Sequence, residues 1–244
     1  MQAYADETPQ AKGLRIATES DAANAGYGGE SSLMEMVLIN AHGDQTTRKM
    51  TSKVLEMQSD GDRSLINFEW PADVKGTRML TWSHKTSNDD QWLYLPSLKR
   101  VKRINSRSKS GSFMGSEFAY EDLGSQEIEK YRYKWLSDET IDGRKHWVIE
   151  RIPTDKKSGY SKQVVWIDQG YNQAVKIDFY DRKGDHLKTF TLSQYKKYDR
   201  WWRAGKIEAV NHQTSKRSIL QWKNRTVGKV PDADMFTKDG LTDW

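Results

Sequence analysis

Apolar and polar residues alternate along most of this chain in short bursts rather than in long helical stripes. From Ser31 onward, segments of roughly six to twelve residues rich in β-branched and aromatic side chains are divided by turn clusters such as AHGDQ, SDGDR, SNDD, SDETIDGR, TDKKSG and RKGD. The pattern predicts strands over 31–40, 46–58, 63–70, 77–84, 91–95, 98–104, 131–136, 146–152, 161–168, 174–181, 187–198, 206–212 and 217–226. Connections this short join antiparallel neighbours, since parallel crossovers are much longer. The expected fold is mainly β: a meandering sheet curled into a barrel or half-barrel. Helical spacing is found at 8–25, where Ala11, Leu14, Ala17, Ala22 and Ala25 recur, Thr8 offers a cap and Pro9 a first-turn proline. The GYGG stretch at 26–29 ends that helix.

The faces of the strands differ. In YRYKWL, Tyr131, Tyr133 and Trp135 share one side and Arg132 and Lys134 the other, as in a sheet with one wet face. Other strands are apolar on both sides, such as Leu33, Val37 and Ile39 against Met34, Met36 and Leu38. A second layer, such as the N-terminal helix, is then expected over one face, with a core or cavity on the other. Residues 105–130 break the rhythm, and connections of this length in a compact domain are usually functional or mobile. Their second half reads as a short helix opened by Ser116 with Phe118, Leu123 and Ile128 inward, and 230–241 as a closing turn or short helix begun at Pro231.

Charge changes the picture at one place. The formal net charge is +5, yet Lys99, Arg100, Lys102, Arg103, Arg107 and Lys109 bring six cations without an acid among them. Without those six, 33 basic residues face 34 acidic ones, so the basicity is local. A basic hairpin of this kind is commonly a solvated sheet edge. With 30% charged residues and a mean hydropathy of −0.89, the chain has no apolar run long enough to span a membrane. Cysteine is absent, which excludes disulfides, thiolate metal sites, cysteine nucleophiles and a lipidated N-terminal cysteine. Ala3-Tyr4-Ala5 fits the small-x-small pattern before a signal-peptidase cut, so 1–5 reads as the remnant of a removed export signal and 6–244 as a single domain.

Catalytic patterns are weak throughout. His42, His84, His146, His186 and His212 are scattered and lack metal-ligand spacing. GSFMG at 111–115 is not a nucleophile elbow, and Ser106 to Lys109 forms SxxK without its companion motifs. Glu117, Glu121 and Asp122 have no fixed carboxylate opposite them and read as a solvated helix face. Gly26, Gly28 and Gly29 follow a helix and precede no Lys-Ser/Thr, so they form no phosphate loop. Together with the basic patch, the chain's ten Trp and eleven Tyr would suit a single-stranded nucleic acid, but spread through strands at alternating positions most of them are more simply core or cavity lining. No enzyme activity, metal, cofactor or nucleic-acid partner is expected.

The stretches FEWPADVKGT (68–77), DDQWLYLPSLKRVKRI (89–104), KSGSFMGSEFAYEDL (109–123), GYSKQVVWID (159–168), KIDFYDRKGDHLKTFT (176–191) and VNHQTSK (210–216) resemble the outer-membrane lipoprotein-sorting protein family, relatives of the periplasmic lipoprotein carrier LolA. The resemblance implies a Gram-negative periplasmic carrier with an unclosed antiparallel β-barrel, helices over its mouth and an apolar cavity for acyl chains of lipoproteins or lipids. It also implies an inner-membrane RND-type transporter as a partner. The missing cysteine sets the chain apart from the lipid-anchored acceptor LolB. The longer chain and the 99–118 segment depart from the carrier proper, and they leave the cargo open between lipoprotein, lipid and another amphiphile.

On that reading, Trp92, Tyr94, Phe113, Met114, Phe118 and Tyr120 are candidates for cavity or lid, and Lys99, Arg100, Lys102 and Arg103 for headgroup contact or partner docking. Phe118 and Tyr120 equally suit ordinary core positions beneath a loop. The competing reading is an envelope-docking or polyanion-binding module built on 99–109.

Overall fold

The computed structural model describes residues 7–242, so the expected export remnant at 1–5 lies outside the described residues. Helix α1 (Pro9–Asn24) leads into strands β1 (Gly29–Ile39), β2 (Gln45–Leu55), β3 (Arg63–Trp70), β4 (Arg78–Trp82), β5 (Asp90–Leu95) and β6 (Arg100–Ile104). After a long connection the chain resumes as β7 (Tyr131–Ile141), β8 (Arg144–Pro153), β9 (Tyr160–Asp168), β10 (Gln173–Asp181) and β11 (His186–Ser193). A small hairpin of β12 (Lys196–Tyr198) and β13 (Trp201–Arg203) precedes β14 (Lys206–Asn211) and β15 (Arg217–Val227).

Thirteen strands form one sheet in the order β6-β5-β4-β3-β2-β1-β15-β14-β11-β10-β9-β8-β7. Every neighbouring pair is antiparallel, as the short connections require. The path has a consequence for the opening. The chain meanders from the middle of the sheet to the edge β6, crosses through 105–130 to the opposite edge β7, and meanders back until β15 pairs with β1. Residues 105–130 are therefore a strap across an unclosed barrel.

One face of this sheet buries side chains from both edges in a single cluster, Ile104 of β6 and Tyr133 of β7 together with Met36, Phe68 and Phe190 from between them. Strands so far apart in the sheet order share one core because the sheet curls around it. Helix α1 contributes Ile16 and Ala17 to the same core. It crosses β7 at Gly13, where an added Cβ would lie 2.6 Å from the Lys134 carbonyl carbon and the Trp135 nitrogen. Only glycine lets the two backbones approach so closely. Thr8 caps the helix by accepting from the Ala11 N–H at 3.2 Å.

The helix thus lies on the concave side, and the second layer expected on the other face comes from elsewhere. Single 3-10 turns at Ala233–Phe236 and Asp239–Leu241 lay Phe236 and Leu241 over Leu65, Leu80 and Trp92 on the convex face. Away from that patch Leu33 of β1 is exposed on this face, while Ile39, Val148 and Val164 are buried. The helix expected from Ser116 is absent. Its place is taken by 3-10 turns at Phe113–Gly115, Tyr120–Asp122 and Ile128–Lys130, and the backbone folds back on itself, the Tyr120 N–H donating to the Gly111 carbonyl at 3.0 Å and the Glu121 N–H to the Lys109 carbonyl at 2.9 Å.

Candidate functional site

The strap folds into a tight loop whose tip enters the concave side. Phe113 N–H donates to the Phe118 carbonyl at 2.7 Å, and Ser112 bridges Ala119 as in a minimal hairpin. The tip is turned by Met114 and Gly115 at φ of 51° and 79°. That left-handed turn is unusual for methionine and easy for glycine. Phe113 is 2% exposed and packs 5.8 Å from both the Phe68 and the Tyr120 rings. Phe118 is buried 5.1 Å from Phe190. Met114 and Tyr120 are partly buried against the same core. Four apolar side chains of one connection thus reach into the core that the curled sheet encloses.

Polar contacts from widely separated strands fasten this strap. Arg48 of β2 donates to the Met114 carbonyl. Glu117 donates its N–H to Ser218 Oγ at 3.0 Å and accepts from Asn211 Nδ2 at 2.7 Å. The Lys188 ammonium donates to the Glu117 carbonyl at 2.9 Å and to Asp122 Oδ2 at 2.6 Å. Asp122 also accepts from Tyr160 Oη at 2.8 Å and from the Ala119 N–H at 2.7 Å. The side chains of this ion pair are 4% and 5% exposed, and the rings of Phe190, Phe179 and Tyr160 surround the cation at 4.8 to 5.2 Å. Enclosing this pair is tolerable because its members are paired and hydrogen-bonded.

Next along the strap, Glu121 accepts from Ser158 Oγ and the Gly159 N–H, both at 2.8 Å. Burial pushes the Glu121 carboxyl up from its ordinary value, and the neighbouring Asp122 charge adds to this. Gly159 leaves room for the contact: a Cβ there would stand 2.6 Å from Ser110 Cβ and 2.8 Å from Glu121 Oε1.

Clefts flank the strap. One of about 380 Å³ lies at the seam between the sheet edges and is lined by Ile104, Lys109, Lys130, Tyr131 and Asp155 among others. Two ion pairs cross this region, Lys109 with Asp155 at 2.5 Å and Lys130 with Asp89. A second cleft of about 420 Å³ lies between the strap and the β10–β11 turn, where Phe118, Arg182 and Lys188 meet.

The sequence-derived residues separate into three groups. Phe113, Met114, Phe118 and Tyr120 come together in the concave core. Trp92 and Tyr94 do not join them. Strand alternation turns both to the convex face, where Trp92 packs 5.0 Å from Trp82, and it is Leu93 between them that reaches the concave core. Lys99, Arg100, Lys102 and Arg103 are exposed at the open edge β6.

The other sequence features fall into structural roles. Glu117, Glu121 and Asp122 are strap anchors instead of the expected solvated helix face. Ser106 and Lys109 face different partners, Lys157 at 3.1 Å and Asp155. His84 lies between Asp60 at 2.6 Å and Asp90 at 3.3 Å. His186 and His212 converge on Thr189 Oγ1 at 3.2 and 2.9 Å. Among the described residues no group of three or more His, Asp or Glu is arranged to hold a metal ion.

Lys188, Asn211, Ser218 and Arg48 were not singled out by sequence. A signal existed for Lys188, which alternates with Phe190 and therefore points inward as a lone cation on an apolar face.

A family model described as an uncharacterized protein matches residues 60–243. No curated protein is matched. A solved structure described as an outer membrane lipoprotein-sorting protein domain, from Vibrio parahaemolyticus, is 51% identical with a TM-score of 0.93, over 95% of this chain and 99% of that one. A DUF1329 family protein from Desulfovibrio piger is 28% identical with a TM-score of 0.92, over 96% and 100%. A LolA superfamily protein from Nitrosomonas europaea has the same fold, with a TM-score of 0.74 at 20% identity, over 96% and 100% of the two chains.

Proposed function

This chain belongs to the outer membrane lipoprotein-sorting protein family and has its LolA-type fold, and from that premise we propose that it is a non-enzymatic periplasmic carrier. It takes acyl chains of lipoproteins or lipids into the curled sheet and shuttles them towards the outer membrane. The observation that carries this reading is the strap: Phe113, Met114, Phe118 and Tyr120 reach into the concave core from a single connection and pack there against the strand side chains. Withdrawing the tip residues Phe113 and Met114 leaves an apolar hollow lined by strand residues. The strap is the lid, and its side chains stand where cargo would lie.

The energetics suit an exchange. An acyl chain of about fourteen carbons gains roughly 11 kcal/mol gross on burial. Unseating a large apolar side chain costs about 2–5 kcal/mol. Cargo therefore offsets the loss of the two tip residues, Phe113 and Met114. The buried Lys188–Asp122 pair adds little net stability to the closed form, since desolvation cancels most of its attraction. What it supplies is one defined seat for the strap. An RND-type transporter as partner rests on the sequence resemblance alone.

The test is mass spectrometry of the organic extract of protein purified from a native periplasm, beside a mock purification. Enriched lipid or acylated protein is expected. A protein that carries none, and that takes up no apolar fluorescent probe at any ionic strength, overturns the carrier reading. Apolar capture persists at high salt, whereas binding through the Lys99–Arg103 cations weakens steeply, which separates cargo binding from a docking module.

A further inference from the structure

Six consecutive exposed residues, Leu98 to Arg103, run from the β5–β6 turn along the open edge β6. Among the described residues Arg103 pairs with Asp90, while no carboxylate lies within ion-pairing distance of Lys99, Arg100 or Lys102. Charges alone would be the ordinary guard of a free sheet edge. Such a guard does not account for the apolar residues set among them: Leu98, at the tip of the turn, is 62% exposed, and Val101 is 38% exposed.

The adjacent β3–β4 turn carries the same mixture. The two turns touch, since a Cβ on Gly76 would lie 3.6 Å from Pro96 Cγ. At this end β3 finishes in Trp70, which is 50% exposed with Lys49 Nζ 5.9 Å from its ring. Lys75 is exposed in the turn itself, and Glu69 and Asp73 are the exposed acids beside it. The tip of the strap reaches the same end of the sheet. Gly115 there approaches Leu38, one residue from the end of β1, and Arg48 near the start of β2 holds the Met114 carbonyl.

We propose that this end of the sheet, with Leu98 and Trp70 as apolar contacts and Lys99, Arg100 and Lys102 as cations, docks onto an anionic lipid bilayer. A leaflet bearing anionic headgroups satisfies both halves of the surface. Cations lie over the headgroups, and leucine and tryptophan settle at the interface, where tryptophan is enriched in membrane proteins. A soluble polyanion or an acidic peptide matches the charges but leaves Leu98 and Trp70 in water. Docked this way, the strap tip faces the membrane. The docking itself does not depend on what the carrier holds, because its residues lie outside the concave core.

Cosedimentation with phosphatidylcholine vesicles, with and without phosphatidylglycerol, tests this. Binding is expected only with phosphatidylglycerol present and weakens with salt. Each cation near an anionic leaflet is worth about fivefold in partitioning. The triple variant Lys99→Glu, Arg100→Glu, Lys102→Glu should therefore bind at least a hundredfold more weakly. The double variant Leu98→Ser, Trp70→Ser should lose several-fold at unchanged charge.

Absence of vesicle binding by the unmodified protein, or full binding by the triple variant, overturns the proposal. If the double variant binds vesicles as the parent does, the contact is purely electrostatic and a soluble polyanion replaces the bilayer as partner. Uptake of an apolar probe in solution is measured in parallel. A protein that takes up probe but ignores vesicles loses the docking surface and keeps the carrier role. The reverse result keeps the docking surface alone.

Discussion

The sheet is covered on its two faces by segments of opposite character. On the convex face, Phe236 and Leu241 are both 0% exposed over Leu65, Leu80 and Trp92. Two bonds to carbonyls supplement that packing, from Trp82 Nε1 to Phe236 at 2.7 Å and from Arg78 to Leu241 at 2.5 Å. On the concave face the strap is likewise buried, yet its seat is defined by side chains from β2, β9, β11, β14 and β15 and by an enclosed ion pair. Apolar burial contributes in proportion to area and has no preferred geometry. A polar latch contributes little net energy but discriminates sharply between seated and unseated forms. The convex cover is built to stay, and the concave one has the attachment expected of a part that leaves.

The largest effect should come from the permanent cover. Phe236→Ala removes a fully buried ring and should cost about 3–5 kcal/mol in urea unfolding, with probe uptake by the folded protein unchanged. Enhanced uptake in this variant would mean that the convex cluster, not the concave one, is the cargo side.

Breaking the latch comes next. Lys188→Met leaves Asp122 buried and unpaired, a change that costs about 3 kcal/mol or somewhat more where the structure cannot relax. Here the strap can leave, so the loss stops at the free energy of opening and uptake becomes faster. Adding Asp122→Asn should return most of the stability and slow uptake again. If the double variant is no better than the single, the pair is not the latch.

Phe113→Ala sharpens the comparison, because it makes on the strap the truncation that Phe236→Ala makes on the other cover. A residue that unseats without global unfolding limits the stability lost by its truncation. The expected cost is about 2 kcal/mol, below the range for buried phenylalanine, with uptake increased. A cost equal to that of Phe236→Ala with no change in uptake would make Phe113 ordinary core and remove the lid.

Sequence periodicity located most strands because each has its own alternation: 63–70 is β3 as read, and 217–226 is β15 but for one residue. Where it fell short, the missing information was local in one place and distant in others. Strand β7 extends past 136 to Ile141 because Asp142 and Gly143, both at positive φ, form a tight hairpin turn into β8. That Asp-Gly signal was present in SDETIDGR. The strap was different. Its length and its Phe113, Met114 and Phe118 marked it as unusual, but Ser116 looked like a helix cap. The strap backbone instead turns back on itself, the Tyr120 and Glu121 N–H groups bonding to the Gly111 and Lys109 carbonyls, while Glu117 and Asp122 are held by Ser218, Asn211 and Lys188, all far along the chain. No local pattern records such contacts. Alternation separates Trp92 and Tyr94 from Leu93 but cannot say which of the two faces encloses the core, and the structure gives that face to Leu93.

The smallest expected effect is a pH dependence confined to the strap. Burial raises the Glu121 carboxyl above its ordinary value of 4.5, so the seated strap holds a proton that the released strap gives up. The closed form therefore binds more protons across the interval between the two values. Its stability falls as pH rises from the ordinary value through the raised one, and is full below that interval. Asp122 beside it strengthens the shift, while Lys109 and the bonds from Gly159 and Ser158 oppose it. Hydrogen exchange of the strap amides should quicken across this window. Glu121→Gln keeps the shape and the Gly159 N–H bond while removing the titration, and should exchange at a pH-independent opening free energy. If the variant retains the parent's pH dependence, the proton belongs to another group, and Glu121 is simply a buried anchor.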